Sequence, residues 1–216
     1  MNTHTLCLNI LIILFTISPV LLIGIISNFP GMKMKKDDVF FTKALAYLLI
    51  IEFTFILIMK FHVLKVSLPE NIYWYFIAIV CVPLIIALEI LLAFIMIKAK
   101  GKNVKKLSFW GSGKKLDKYH MIFILIIAIF EELIFRCVWS NILGNDFGIN
   151  LYIVIAISAV VYGFNHLFMG SKIIVQKTVT GCIYGLLYFL SGSIIIPIIT
   201  HCVQNYFVIA RGERCE

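Results

Sequence analysis

What most limits this chain is the length and spacing of its apolar runs, which fall at approximately residues 6–27, 39–60, 72–97, 121–143, 149–168, 173–190 and 193–210. Each is close to the ~20 residues a helix needs to cross a hydrocarbon core ~30 Å thick. A backbone in lipid must satisfy its own hydrogen bonds, and these runs lack the alternation of barrel strands, so helices are the expected solution. Composition agrees, since 62% of residues are hydrophobic and only 14% charged, against about 25% charged in a soluble domain. The expected fold is all-α, a polytopic transmembrane bundle with about seven membrane-spanning helices. The run Leu6 to Ile26 has no basic segment before it and no small-residue cleavage pattern after it, so a retained first helix is expected rather than a signal peptide.

The net charge of +8 raises the question of nucleic acid, and the placement of the charge answers it. All but one of the 19 Lys and Arg lie between the apolar runs or at their ends. That pattern suits anionic lipid headgroups and membrane orientation, and no nucleic-acid fold motif accompanies it. With seven spans, sixteen basic residues fall on one side: Lys33, Lys35, Lys36, Lys43, eight lysines from Lys98 to Lys118, Lys172, Lys177, Arg211 and Arg214. The other side has Lys60 and Lys65. The bias predicts a multi-pass protein of the cell membrane with its N-terminus outside and its C-terminus cytoplasmic. The six cysteines show no CxxC or paired spacing, so neither a disulfide framework nor a zinc knuckle is expected.

Most polar features near or inside the spans have simple readings. Tyr73, Trp74 and Tyr75 suit an interfacial belt, Pro19, Pro83 and Pro197 suit kinks, and Gly181 with Gly185 suits close helix packing. A charged group at the bilayer centre costs ~2.5–3.5 kcal/mol on insertion scales, so each one calls for an explanation. Glu52 and Glu89 are single carboxylates, for which structural or neutral roles are expected.

The fourth run differs in kind, because Glu131, Glu132 and Arg136 place three ionisable groups within six residues. Glu132 and Arg136 are spaced i,i+4 and can pair, which leaves Glu131 about 100° around the helix without a partner. A structural ion pair accounts for the first two and not for Glu131. Further candidates are His166, in Tyr162-Gly163-Phe164-Asn165-His166, and the pair His201 and Asn205, one turn apart on the last run. By helical rise, Glu131 is ~16 Å from His120 and His201 is ~15 Å from Arg211, so the two share a depth. His166 is ~9 Å from Lys172, so the fifth helix must continue inward or end deeper than its apolar run suggests. A carboxylate, two imidazoles and an amide facing one cavity suit carboxylate-activated or metal-assisted hydrolysis by water. No nucleophile elbow or HExxH is present, which disfavours a covalent intermediate.

Glu-Glu-x-x-x-Arg on one run, aromatic-x-x-x-His on the next and His-x-x-x-Asn on a later one resemble the CPBP family. That family includes the CAAX prenyl endopeptidases and bacterial intramembrane peptidases linked to bacteriocin processing and immunity. The resemblance covers roughly Met121 to Ala210 and departs mildly at Tyr162, where Phe is common. The apolar runs and loop charge give an N-terminal three-span region with a basic cytoplasmic loop over 1–120, which carries no recognised motif, and the resemblance implies a catalytic core of about four spans over 121–216. It further implies an endopeptidase acting on a membrane-associated peptide, either a prenylated tail or a bacterial leader or signalling peptide. Glu131, aided by His166, would activate water, His201 and Asn205 would stabilise the oxyanion, and Glu132 with Arg136 would fix the helix geometry. A metal-free glutamate mechanism with no required cofactor is expected. The alternative is zinc on Glu131, His166 and His201, although Asn205 beside them would be an uncommon zinc ligand. A non-catalytic membrane immunity or scaffold protein is the competing reading. A transporter has no inverted repeat to support it.

Overall fold

The computed structural model describes residues 2–27, 38–101 and 118–212. Among the described residues all regular structure is helical: α1 (Thr3–Thr16), α2 (Pro19–Ser27), α3 (Asp38–Lys60), α4 (Tyr73–Ala99), α5 (Lys118–Glu132), α6 (Leu151–Phe164), α7 (Ser171–Ser191) and α8 (Ile195–Gly212). Each of the seven apolar runs is helical. Three helical segments, Val39–Val63, Tyr73–Ala99 and Ser171–Ser191, are long and apolar enough to cross a membrane, and α1 with α2 makes a fourth if the bent pair is one span. Helices α6 and α8 are apolar but shorter, while α5 carries the ionisable cluster. The protein is an integral membrane protein on this evidence. Lys33, Lys35, Lys36, Lys102, Lys105, Lys106, Lys114, Lys115 and Arg214, on which much of the charge bias rests, lie outside the described residues.

The single helix expected over 6–27 is two helices bent by 65°. Pro19 has no N–H to offer the turn before it. The Leu21 N–H, which would close on the Ile17 carbonyl in a continuous helix, bonds the Ser18 hydroxyl instead at 3.4 Å. Asn165 takes up the exposed groups: its Nδ2 donates to the Ile17 carbonyl at 3.1 Å, and its Oδ1 accepts from Ser18 Oγ at 3.1 Å. Two further ties hold α1 to the core. Trp139 Nε1 donates to Thr16 Oγ1 at 2.9 Å, and Asn9 Nδ2 donates to Asp146 Oδ2 at 3.0 Å, where Lys60 also bonds.

Helix α5 packs against α3 and α8, and its backbone widens past Glu132. The Trp139 N–H reaches back five residues to the Ile134 carbonyl, and Phe147 does the same to Ile142, so Leu133–Val138 and Ser140–Asp146 are π-helical. Ile134, Phe135, Cys137, Val138 and Trp139 are all buried there. Side chains such as Leu14, Ile58, Phe76, Leu84 and Phe164 face outward. A bundle with apolar groups outside and carboxylates, amides and imidazoles among those inside is suited to lipid rather than water.

The α6–α7 pair sets the close approach that shapes the interior. A Cβ on Gly163 would lie 2.1 Å from Thr178 Oγ1, and one on Gly181 would lie 3.0 Å from Tyr162 and 3.1 Å from Arg136 Nη2. The small-residue reading of Gly181 therefore holds, and it brings the α7 backbone against the ion cluster. Gly192, left-handed at φ 64°, ends α7 and lets α8 turn back beside it.

Candidate active site

Glu131 and Glu132 close the α-helical part of α5, and Arg136 lies one turn on in the wider backbone. Glu132 and Arg136 form the expected pair, with Arg136 Nε 3.3 Å from Glu132 Oε2 and both side chains almost fully buried. The alignment there is not that of a hydrogen bond, so the contact is electrostatic. The guanidinium is held in other ways. Its Nη2 donates to the Gly181 carbonyl at 3.1 Å, and its plane lies over the Tyr162 ring, 4.6 Å from the centroid, with Tyr184 at 5.6 Å. Stacking and a carbonyl bond of this kind suit a guanidinium and not an ammonium.

His201, from α8, joins the cluster through Glu132. Its Nδ1 is 2.9 Å from Glu132 Oε1. A carboxylate paired with arginine can only accept, so Nδ1 carries the proton and donates. The other nitrogen, Nε2, then faces the Tyr162 hydroxyl at 3.4 Å and Glu131 Oε2 at 4.0 Å. Glu132 thus does more than set the geometry of its own helix. It fixes the tautomer and orientation of an imidazole from a helix 69 residues away.

Glu131 is the exception in the cluster. It is buried, and 4.0 Å from His201 is too far for a hydrogen bond. No side chain or backbone group among the described residues bonds it.

His166 lies just beyond the last turn of α6, which ends at Phe164. The helix stops short of the apolar run because Asn165 and His166 leave it, and a short turn over Leu167–Met169 leads to Gly170 at φ 100°. His166 Nδ1 lies 3.0 Å from the Tyr162 carbonyl. A carbonyl cannot donate, so Nδ1 again holds the proton and Nε2 keeps its lone pair. The ring packs edge-on to Tyr162 at 5.0 Å between centroids.

The structure therefore brings Glu131, Glu132, Arg136 and His201 together directly and links His166 to them through Tyr162. Asn205 follows His201 by one turn on α8, half-buried, and makes no hydrogen bond among the described residues. Among those residues no three His, Cys, Asp or Glu side chains converge to hold a metal ion. His166 and His201 each hold the proton on Nδ1 and leave Nε2 with its lone pair, the tautomer that a zinc ligand also has, so the donor chemistry of Glu131, His166 and His201 suits zinc although the three do not converge as placed.

Two residues were missed. Tyr184 stacks on the His201 ring at 4.8 Å and donates to Gln204 Oε1 at 2.6 Å. Gln204 had a signal, an amide three residues after His201 in an apolar helix, whereas Tyr184 reads as one more apolar residue. Tyr162 also matters more than its motif position suggested, since its hydroxyl reaches His201.

Residues 119–207 match the family model described as Type II CAAX prenyl endopeptidase Rce1-like. The match runs from α5 into α8, contains all six candidate residues and agrees with the resemblance carried by the three motifs. No curated protein and no solved structure matches the chain.

Proposed function

We propose, from the match of residues 119–207 to the Type II CAAX prenyl endopeptidase Rce1-like model, that this chain is an intramembrane endopeptidase in which Glu131 activates the attacking water. The observation that carries the reading is the asymmetry of the two adjacent carboxylates. Glu132 is held by Arg136 and His201, whereas Glu131 has no hydrogen-bond partner among the described residues and faces the same imidazole from 4.0 Å. A base must have a lone pair to offer, and Glu131 has both oxygens available.

In this mechanism Glu131 takes a proton from water as the oxygen bonds to the scissile carbonyl carbon. His166 presents the lone pair of Nε2 and helps to orient that water. As the tetrahedral intermediate collapses, the C–N bond breaks and the proton on Glu131 passes to the leaving nitrogen. The Glu132–Arg136 pair acts at one remove by holding His201, as the carboxylate of a catalytic triad holds its imidazole. Asn205, uncommitted on the same helix, is available to bind the substrate. No step needs a metal ion. The substrate is a membrane-associated peptide or protein, and the C-terminus lies in the cytoplasm beside the basic loops.

The test is Glu131→Gln in the full chain. The variant should reach the membrane at wild-type levels and cleave an internally quenched farnesylated CAAX peptide at about 1% of the wild-type rate or less, since an acid–base group contributes ~10²–10⁴-fold. Wild-type cleavage by a normally folded Glu131→Gln protein would remove Glu131 from the mechanism and favour the non-catalytic scaffold. A cytoplasm-dependent reporter should be active after Glu216 and silent at Asn145, and activity at Asn145 would overturn the orientation.

A further inference from the structure

The bend between α1 and α2 is tied to both stretches of chain that carry Glu131 and His166, although residues 3–27 lie outside the matched segment 119–207. Pro19 has no N–H, and the Leu21 N–H is taken by the Ser18 hydroxyl. The Ile17 carbonyl therefore loses the partner that a continuous helix would give it. Lipid offers no replacement, and an unpaired carbonyl there is costly. Asn165 supplies the bond. Its Nδ2 donates to the Ile17 carbonyl at 3.1 Å, and its Oδ1 accepts from Ser18 Oγ at 3.1 Å.

Asn165 is the residue before His166. Resting on the peptidase reading, we infer that Asn165 is a positioning residue of this site, through which the α1–α2 bend sets the His166 imidazole against the attacking water. Three observations support the assignment. Both ends of the Asn165 amide are committed to the bend, and the side chain is buried, 5% exposed, so water does not compete for these bonds. His166 lies beyond the last turn of α6, so the helix ladder does not fix it, and α2 grips the chain on its far side as well. There a Cβ on Gly24 would lie 3.6 Å from the Phe168 ring. The third observation is at the other end of the bend, where Thr16 Oγ1 accepts from Trp139 Nε1 at 2.9 Å. Trp139 follows Arg136 by three residues in the stretch that begins with Glu131 and Glu132.

One elbow thus spans the two chain segments whose separation sets the distance from Glu131 to His166. Two groups on different helices act on one water only if that distance is held, and a misplacement of about 1 Å costs about 10²-fold in rate. Asn165 itself takes no proton and touches no reacting atom. Its effect passes through His166.

A double-mutant cycle of Ser18→Ala and Asn165→Ala in the full chain tests this with the farnesylated CAAX peptide. Asn165→Ala should lower kcat per folded molecule about 10–10²-fold and leave KM within about 2-fold, because the water is misplaced while the peptide still binds. Ser18→Ala keeps the Ile17 bond and should lower kcat about 2–10-fold, the effect of one hydrogen bond. The double variant should lose no more than Asn165→Ala alone, since Ser18 acts on the site only through Asn165. The second readout needs no substrate. In the ¹⁵N-histidine NMR spectrum of the full chain in detergent micelles, each variant should shift the His166 resonances more than those of His201. If Asn165→Ala does not fold, Ser18→Ala carries the test through its kcat and its His166 shift. Wild-type kcat per folded molecule in both single variants, multiplicative losses in the double variant, or unmoved His166 resonances would overturn the proposal. If the wild-type chain leaves the peptide intact, that counts against the peptidase reading, and the NMR arm still decides whether the bend sets His166.

Discussion

Glu89 and Glu131 are both buried carboxylates on helices of the same bundle, yet they are in opposite situations. Glu89 Oε1 receives hydrogen bonds from Lys177 Nζ at 3.0 Å and Thr180 Oγ1 at 2.9 Å. Gln176 adds a third tie to its backbone carbonyl at 2.6 Å. All three partners come from α7, so the network fastens α4 to α7. The Glu131 side chain accepts no hydrogen bond among the described residues, and its ion-pair contact is His201 at 4.0 Å. Its neighbour Glu132 repeats the Glu89 pattern, with one cation and one further donor. A satisfied carboxylate in lipid holds helices together, whereas an unsatisfied one is kept at a cost in stability and is the natural place to look for chemistry.

The comparison predicts effects of graded size. The largest loss of stability should come from Arg136→Lys, which removes the contact to Gly181 and the stacking on Tyr162 and leaves Glu132 poorly compensated. Breaking a buried pair costs ~3–5 kcal/mol, so this variant should accumulate poorly and show a much lower thermal midpoint in detergent. Wild-type stability would mean that the pair is incidental. Lys177→Met should cost less, about 1.5–3 kcal/mol for one hydrogen bond to a charged group, because Glu89 Oε1 keeps its bond from Thr180, and turnover per folded molecule should stay within about 2-fold of wild type. A collapse of turnover at normal stability would place Lys177 in the chemistry.

Glu52 sharpens the contrast from the other side. It lies on α3, fully buried, with no hydrogen bond to either oxygen among the described residues. Glu52→Leu should raise the thermal midpoint, because an unsatisfied polar group is exchanged for an apolar one, and should leave kcat unchanged. A large loss of activity would mean that Glu52 serves the site. The smallest expected effect is that of a chelator. Prolonged treatment should leave peptide cleavage unchanged, and loss restored by zinc alone would move Glu131, His166 and His201 to metal ligands.

Much of this could be read from the residues, and the remainder has physical reasons for being hidden. Every apolar run contains a helix because lipid imposes a length on such runs, although the first run holds two helices and the fifth outlasts α6. Pro19 marked the bend without giving its angle, since the angle depends on Asn165 bonding the released Ile17 carbonyl from α6. The Glu132–Arg136 pair was legible because i,i+4 spacing is local. The Glu132–His201 bond was not, because it joins residues 69 positions apart and depends on which helices pack together. The π-helical backbone after Glu132 follows from hydrogen-bond register, for which Leu133–Val138 carries no compositional signal. Lys177 read as a residue beside a loop, yet it lies within α7 and pairs inward with Glu89.

The central claim is that the unbonded carboxylate does the chemistry and the bonded one holds the fold. It is tested most directly by preparing Glu131→Gln and Glu89→Gln side by side and measuring thermal midpoint and kcat on the farnesylated CAAX peptide for both. Glu131→Gln should keep or raise the midpoint and lose at least about 10²-fold in kcat. Glu89→Gln should lower the midpoint, because it removes the charge that Lys177 pairs with, and keep kcat within about 2-fold of wild type. Comparable kcat in the two variants, or loss of activity in Glu131→Gln that merely tracks loss of folded protein, would contradict the account.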